Sequence, residues 1–289
     1  MGINTPMLKI CKRLSEYILR NGFNLYKLQK CINMKTYPSD VTESQWQGIE
    51  NILDSDKRKR KYSLRNVYNA ILYVTKSGIQ WRMLPKDMVP WQSVYYYFRK
   101  WKMNGVFEEL HDFLVAKVRL KKGKNSIPSV GIIDSQSVKA SNVCEGNVGY
   151  DGGKKIKGRK RHIVVDTLGL ILAVVIHTAS IHDSNGATQT LQALKVKYLG
   201  CIKKIFADSG YIGDLIDWAK RFLGFEIEIV KRTEEHKFKV VPKRWIVERT
   251  FAWISFHRRL SKDYERLSDT SIAFIQISMI RLMHNKIYK

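Results

Sequence analysis

The hydrophobic periodicity of this 289-residue chain changes near residue 125, and that change limits the architectures open to it. From Thr42 to Lys121, apolar residues recur at the helical spacing of i, i+3, i+4 and i+7. After Ser129, short apolar runs alternate with helical stretches. The pattern predicts an all-helical segment followed by an α/β segment, in which a mixed sheet is flanked by helices.

The helical segment has recognisable start and stop signals. Thr42 is suited to cap a first helix, and Ser63 precedes a second helix that Gly78 would end. Two further helices are predicted on either side of Gly105, and residues 121–129 resemble a linker. Small basic helical bundles often bind DNA, and the second and third helices could form a helix-turn-helix, although their connection is long for that motif.

The second segment is predicted to contain strands and helices in alternation. An apolar run with few charges favours a strand, and the second and third strands would form a hairpin. The predicted strands are 130–134, 162–166, 170–177, 204–208 and 225–230. Helices are predicted after the third and fourth strands, and two long ones close the chain at 242–260 and 268–285.

The charge of the chain narrows the choice of partner. Lys and Arg number 51 against 26 Asp and Glu, a formal net charge of +25. Such a surface favours nucleic acid as a partner, with an anionic membrane surface or simple solubility as alternatives. The longest apolar run, 170–176, is too short to span a membrane. The cysteines form no CxxC pair, which argues against a zinc site or a disulfide framework and suits a cytoplasmic protein.

Two aspartates occupy equivalent places in the predicted sheet. Asp134 and Asp208 each follow the end of an apolar strand. In open α/β sheets, ligands bind at that edge. Either residue alone has a simpler explanation, since aspartate commonly starts a turn or caps the next element.

A third acid, Glu248, lies on the predicted helix 242–260. At 100° per residue, it shares a narrow polar stripe with Arg244, Ser255 and Arg259, between apolar flanks. An acid placed in this way is expected to face something other than bulk water. The alternative is an ordinary i, i+4 surface pair between Arg244 and Glu248.

The three carboxylates suggest a metal-dependent reaction. Mg²⁺ and Mn²⁺ prefer oxygen ligands. Two such ions about 3.5–4 Å apart can hold the attacking and leaving oxygens of a displacement at phosphorus. The nucleophile would then be water or a DNA 3′-hydroxyl, and no nucleophilic side chain is needed.

A glycine-rich basic run precedes the second predicted strand. Its cations are Lys154, Lys155, Lys157, Arg159, Lys160 and Arg161. We expect this run to contact the DNA backbone as a flexible loop. A solvated hairpin is the alternative.

Four motifs together resemble one protein family. They are GGKKIKGRKRHIVVDTLGL at 152–170, DSQS at Asp134, DSGY at Asp208 and WIVERTFAW around Glu248. In this order they resemble the DDE transposases of bacterial insertion sequences, in the group of insertion sequence five. The likeness runs from about residue 38 to residue 264.

The resemblance implies a ribonuclease H-like catalytic fold, with the first two acids on neighbouring strands and the third on a later helix. Asp134, Asp208 and Glu248 would then be the catalytic, metal-binding residues, 74 and 40 positions apart. Arg244 matches an arginine of the family signature. The family's tyrosine and lysine on either side of the glutamate are replaced by Val241 and Ser255. Arg258 or Arg259 would take over the cationic role after the glutamate and contact DNA.

The resemblance also implies a division of labour. Residues 1–37 would be a basic extension of unknown role, 38–125 a helical DNA-binding domain and 126–289 the catalytic domain. The chain would cut DNA at the terminal inverted repeats of its element and join the 3′-hydroxyl to target DNA, as a homo-oligomer. The alternatives are a metal-dependent nuclease of the same fold and an inactive DNA-binding relative.

Overall fold

The helical segment begins with a capped turn, as the sequence predicts. The structure is a computed structural model, and it describes residues 36–55, 57–230 and 244–288. Helix α1 (Glu43–Gln47) starts with a capping box, in which the Thr42 hydroxyl accepts from the Gln45 N–H at 3.3 Å and the Gln45 side chain accepts from the Thr42 N–H at 3.1 Å. A short helix α2 (Glu50–Leu53) follows. The expected N-terminal extension, residues 1–37, lies almost entirely outside the described residues.

Helix α3 (Leu64–Ser77) ends where the sequence predicts. Gly78 has the left-handed conformation, with φ of 75°. A Cβ at this position would lie 3.0 Å from Cβ of Arg258, so both the backbone conformation and the close packing favour glycine. Helices α4 (Trp91–Met103) and α5 (Val106–Lys121) complete the predicted helical segment, with Gly105 between them.

The second segment is built on a mixed six-stranded sheet. Its strands are β1 (Val130–Lys139), β2 (Gly149–Asp151), β3 (Ile156–Val165), β4 (Ile171–Thr178), β5 (Lys204–Ala207) and β6 (Glu226–Ile229). Strand β3 pairs antiparallel with β1 on one edge and with β4 and the short β2 on the other. Strand β5 pairs parallel with both β1 and β6. Apart from β2, the order β4-β3-β1-β5-β6 is that of a ribonuclease H-like sheet, which confirms the predicted fold class.

Helices cover the sheet. Helix α6 (Asp183–Lys197) packs on β3 and β4, and α7 (Asp214–Trp218) continues into a π-helical turn at Ala219–Leu223. Helix α8 (Arg244–Ser255) packs against β1 and β3. None of the helices in the described ranges is both long and apolar enough to cross a membrane.

The last helix, α9 (Ser268–Ile287), joins the two segments of the chain. It packs against α3, α5 and β4. Phe274 stacks on Phe98 with ring centroids 5.0 Å apart, and His284 lies 3.3 Å from the Tyr68 hydroxyl. The described residues from Ser39 onward therefore form one compact unit with a shared hydrophobic core.

Three elements differ clearly in length from their prediction, and β2 was not predicted. Strand β3 begins at Ile156 rather than at residue 162. Strand β1 continues to Lys139, so Asp134 lies within the strand rather than after its end. It continues because β3 pairs with it along residues 132–139, well beyond the three residues that pair with β5. The helix predicted at 242–260 ends at Ser255, and a separate 3-10 turn follows at Arg258–Leu260.

Candidate active site

Asp134 and Asp208 meet at one edge of the sheet. The parallel pairing of β1 with β5 ends at Ile132 and Phe206, and each aspartate lies two residues beyond that pair. Both acids line one small cleft together with Ile132, Ile133, Phe206, Ala207, Val230 and Arg244. The structure thus brings together the two acids that the sequence singled out on neighbouring strands.

The carboxyl of Asp134 is in an environment that disfavours its charge. Burial, together with the nearby charge of Asp208, raises the pKa of Asp134 to about 6, against the lowering effect of the Ser135 N–H. That N–H donates to Asp134 Oδ1 at 2.7 Å. The ionised form of such an acid, in a cleft beside a second acid, needs a nearby positive charge to stabilise it.

Asp208 is fixed by its own loop and by an arginine. Its Oδ1 accepts from the Gly210 N–H at 2.9 Å, which caps the 3-10 turn Ser209–Tyr211. Its Oδ2 lies 3.3 Å from an Nη of Arg244, the first described residue of α8. Arg244 therefore supplies part of the positive charge that the two aspartates require.

Glu248 is connected to this cleft through the same arginine. Its Oε1 lies 3.4 Å from Nε of Arg244, and its side chain is 56% exposed. The i, i+4 pair considered from the sequence is therefore present, but its arginine also reaches Asp208. Among the described residues, no three His, Cys, Asp or Glu side chains are grouped closely enough to hold a metal ion.

The predicted polar stripe is wrong at its last position. Arg259 lies beyond the end of α8, in the 3-10 turn. Its Nε donates to Glu265 at 2.6 Å and an Nη donates to the Ile79 carbonyl at 3.0 Å, so its guanidinium ties chain segments together. Arg258 is exposed.

The basic run is divided between exposed and buried side chains. Lys154 and Lys155 lie in the turn between β2 and β3, and Lys157 lies near the start of β3. All three are exposed, and Nζ of Lys154 lies 3.4 Å from the Ser135 carbonyl oxygen, beside Asp134. This part of the run is an exposed turn, which is compatible with both the predicted DNA contact and the solvated hairpin.

The interpretation of the whole run as a flexible DNA-contacting loop is wrong for Arg159, Lys160 and Arg161. All three are at most 4% exposed, within β3. Arg159 donates to the carbonyls of Glu265 and Arg266 at 2.8 Å, and Arg161 donates to that of Leu260 at 2.8 Å. These guanidinium groups hold the 260–266 segment against the sheet, since buried charges are stable only when they are paired or hydrogen-bonded.

One charged side chain near the cleft, Asp183, was not predicted from the sequence. Asp183 opens α6 directly after His182 and accepts hydrogen bonds from Ser135 and Lys160. Acids are common in the first turn of a helix, so the position of Asp183 did not mark it as unusual. The signal in the sequence was its position shortly after the third strand of the predicted sheet.

Comparison with known families identifies both segments. The family described as "Transposase DDE domain" matches residues 125–283, more than half of the chain. The family described as "Putative transposase of IS4/5 family" matches residues 41–111, within the helical segment.

Two relatives from Burkholderia cepacia belong to the same insertion element. The chain is 33% identical over 134 residues to "Putative transposase for insertion sequence element IS402". It is 31% identical over 109 residues to "Insertion element IS402 uncharacterized 16.2 kDa protein". The first match covers 44% of this chain and 64% of the relative, and the second covers 35% and 73%.

Solved structures with a distant likeness include two complexes of Mos1. The Mos1 mariner paired end complex with Mn is 9% identical, with a TM-score of 0.29 over 100% of this chain and 97% of that chain. The Mos1 strand transfer complex is 12% identical, with a TM-score of 0.21 over 78% and 67%. The assignment therefore depends on the family match and on the sheet itself, and on those grounds the chain belongs to the DDE transposase family.

Proposed function

We propose that this chain cuts DNA at the ends of an insertion sequence and transfers the freed 3′-hydroxyl into target DNA. The observation that carries the proposal is the pair of aspartates on neighbouring parallel strands, which face one cleft with the pKa of Asp134 raised to about 6. Cutting and joining are both displacements at phosphorus, so one site can perform both steps.

The donor set fits a divalent metal. Two carboxylates face the cleft, one of them with its charged form disfavoured, and their oxygens are the ligands that Mg²⁺ and Mn²⁺ prefer. Asp134 and Asp208 would hold the metal, with Glu248 as the third proposed ligand and two ions as the expected number. Bound metal would activate the attacking oxygen and neutralise the charge that develops on the leaving oxygen.

The cations around the cleft would position the DNA strand. Arg244, between Asp208 and Glu248, is placed to offset carboxylate charge or to contact a phosphate. The exposed Lys154, Lys155 and Lys157 and the exposed Arg258 are the remaining proposed backbone contacts. Contacts of this kind fix the position of the duplex and carry no base information.

We assign recognition of the terminal DNA sequence to helix α4 of the helical segment. Its inner face is buried through Val94, Phe98 and Trp101. Its outer face exposes a stripe at helical spacing, consisting of Gln92, Tyr95, Tyr96, Arg99 and Met103.

Charge and size support the choice of α4. Residues 88–107 contain no Asp or Glu, whereas the exposed face of α5 begins with Glu108 and Glu109. The 13 residues of α4 span about 20 Å, and the helix fits the DNA major groove, which is about 12 Å wide. Since an insertion sequence has two ends that must be processed together, we also propose that the chain acts as a homo-oligomer.

Substitution of the acids tests the proposal. Asp134→Asn, Asp208→Asn and Glu248→Gln are expected to lower Mg²⁺-dependent cleavage of the element's terminal DNA by at least about 10³-fold, because the acids hold the metal. Specific DNA binding should remain, since the acids read no bases. The control is Asp214→Asn, in an exposed first turn of α7. Near-normal cleavage by any of the three acid variants would remove that residue from the site.

A further inference from the structure

Ser135 directly follows Asp134, and its two polar groups bond to two different acids. Its N–H donates to Asp134 Oδ1 at 2.7 Å. Its hydroxyl donates to Asp183 Oδ1 at 2.6 Å. Because Ser135 is only 6% exposed within β1, its backbone and side chain have little freedom to move independently. A hydrogen bond that fixes the Ser135 hydroxyl therefore also fixes the Ser135 N–H, which orients the Asp134 carboxylate.

Asp183 is itself held in place by a buried lysine. Nζ of Lys160 donates to Asp183 Oδ1 and to the Ile181 carbonyl, both at 2.8 Å. The Lys160 side chain is 5% exposed, and the Asp183 side chain is 28% exposed. The ion pair connects strand β3 to the start of α6, and a buried cation of this kind requires its anion.

Asp183 also approaches the loop that carries Asp208. A Cβ built on Gly210 would lie 3.1 Å from Asp208 Oδ1 and 3.9 Å from Asp183 Oδ2. The Gly210 N–H is the group that donates to Asp208. Asp183 thus lies between the strand of the first acid and the loop of the second.

We propose that Asp183 is a positioning residue for the metal site, which acts on Asp134 through Ser135 while Lys160 balances its charge. The inference rests on the proposed function, since it assumes that Asp134 and Asp208 bind metal. Groups that orient a metal ligand typically contribute 10- to 100-fold to metal affinity. Loss of Asp183 should therefore weaken metal binding without removing a ligand.

The chain contains a matched control on the same strand. The Ser137 hydroxyl donates to Asp151 Oδ2 at 2.5 Å, and that oxygen lies 3.9 Å from Nζ of the same Lys160. This second serine–aspartate pair is two residues further along β1. It shares the strand and the lysine with the first pair, but its serine does not follow a proposed metal ligand.

The experiment compares the two pairs in the full chain, with Mn²⁺ as the probe. The variants Ser135→Ala and Asp183→Asn are compared with Ser137→Ala and Asp151→Asn. The first readout is the Mn²⁺ dependence of Tm without DNA, and the second is the Mn²⁺ concentration that half-saturates cleavage. We expect the first two variants to need about 10-fold more Mn²⁺ in both readouts, and the controls to match wild type. Asp183→Glu should restore part of the loss.

An equal Mn²⁺ response in all four variants would overturn the proposal. So would an Asp183→Asn protein with a lower Tm and a wild-type response to Mn²⁺, since that result would limit Asp183 to support of the fold. If Asp183→Asn does not fold, the Mn²⁺ response of Ser135→Ala tests the proposal instead, because this variant removes only a hydroxyl. If Asp134→Asn itself leaves the Mn²⁺ response unchanged, the proposed function fails, and not merely the role of Asp183.

Discussion

At the scale of single residues, Asp134 combines two conditions that rarely occur together in a purely structural side chain. It is largely buried, and its nearest acidic neighbour, Asp208, shares its cleft. Both conditions raise its pKa, so its ionised form costs free energy in the fold unless a cation is near. The same site therefore destabilises the metal-free fold at neutral pH and favours a bound metal.

The pH dependence of stability tests this reading of Asp134. Its pKa is about 6 in the fold against an ordinary 3.8, so its contribution to stability is present below about pH 4 and is lost as pH rises through 6. In EDTA, Asp134→Asn should therefore gain stability relative to wild type on going from pH 4.5 to 7.5, by roughly 1–3 kcal/mol in urea unfolding.

Asp151 provides a control of opposite sign. Burial acts to raise its pKa, but hydrogen bonds from Ser137 and from the Lys154 N–H outweigh burial and hold the pKa below its usual value. Its stabilising contribution is therefore present at neutral pH and is lost on acidification. Asp151→Asn should therefore be less stable than wild type by a nearly constant amount from pH 4.5 to 7.5, because the loss lies below the ordinary pKa of 3.8. The same pH trend in both variants would contradict the account of Asp134.

The two halves of the basic run predict two different phenotypes. Each phosphate contact contributes about −0.9 to the slope of log K against log salt, so Lys155→Ala with Lys157→Ala should flatten that slope by up to about two. Their removal should leave the free energy of unfolding nearly unchanged, since both side chains are exposed. Arg159→Met should instead destabilise the protein by roughly 3–5 kcal/mol, because Asp263 loses its buried partner.

Filter binding across a salt series and urea unfolding separate these outcomes. If Arg159→Met folds normally and flattens the slope, Arg159 contacts DNA after all. An unchanged slope in the double lysine variant would leave the hairpin as solvated surface only.

At the scale of elements, the turn that follows α3 shows how a local rule and a tertiary contact combine. Gly78 and Gly105 both have left-handed backbone, with φ of 75° and 71°. A Cβ on Gly78 would lie 3.0 Å from Cβ of Arg258, whereas no described atom lies within 4 Å of a Cβ on Gly105. Only Gly78 therefore serves both the end of a helix and the packing of the 258–260 turn.

Alanine at the two glycines measures the two effects separately. Gly105→Ala should cost about 1–2 kcal/mol in unfolding free energy, which is the cost of left-handed backbone for alanine. Gly78→Ala should cost more, by at least roughly 1 kcal/mol, because its methyl group forces the neighbouring turn to shift. Equal losses at the two positions would show that the contact with Arg258 carries no energy.

How far the sequence predicts these elements depends on where their partners lie. The position of Asp208 was predictable, since an apolar strand and an acid adjoin in the sequence. The length of β1 was not predictable, because Ser135 and Ser137 interrupt its apolar pattern. Their hydroxyls are buried by donating to Asp183 and Asp151. Periodicity identifies which residues are apolar and says nothing of the distant acceptors that allow polar ones to be buried.

The buried cations of β3 show the same limit. Arg159 and Arg161 bond to carbonyls about a hundred residues away in the chain. A run of six cations in the sequence gives no sign that two of them have such partners. Glu248 was correctly placed on a helix, but its contact with Arg244 could be seen only as one of two alternatives.

At the scale of the whole molecule, the sheet that carries the acids and the helices proposed to read DNA share one core. The last helix, α9, packs against helices of the N-terminal segment and against β4. The chain has a net charge of +25, and two of its acids, Asp134 and Asp208, line one cleft. This combination suits a protein that holds a long polyanion on its surface and brings one phosphate to the acids.

The joining reaction tests the central claim most directly. The substrate is a pre-cut duplex with the element's terminal sequence and a free 3′-hydroxyl, and the target is a supercoiled plasmid. With Mg²⁺, the wild-type chain should covalently join the end to the plasmid, and Asp134→Asn and Asp208→Asn should form no joined product while still binding the duplex. Hydrolysis without joining would make the chain a nuclease, and joining in EDTA or by either variant would contradict the account.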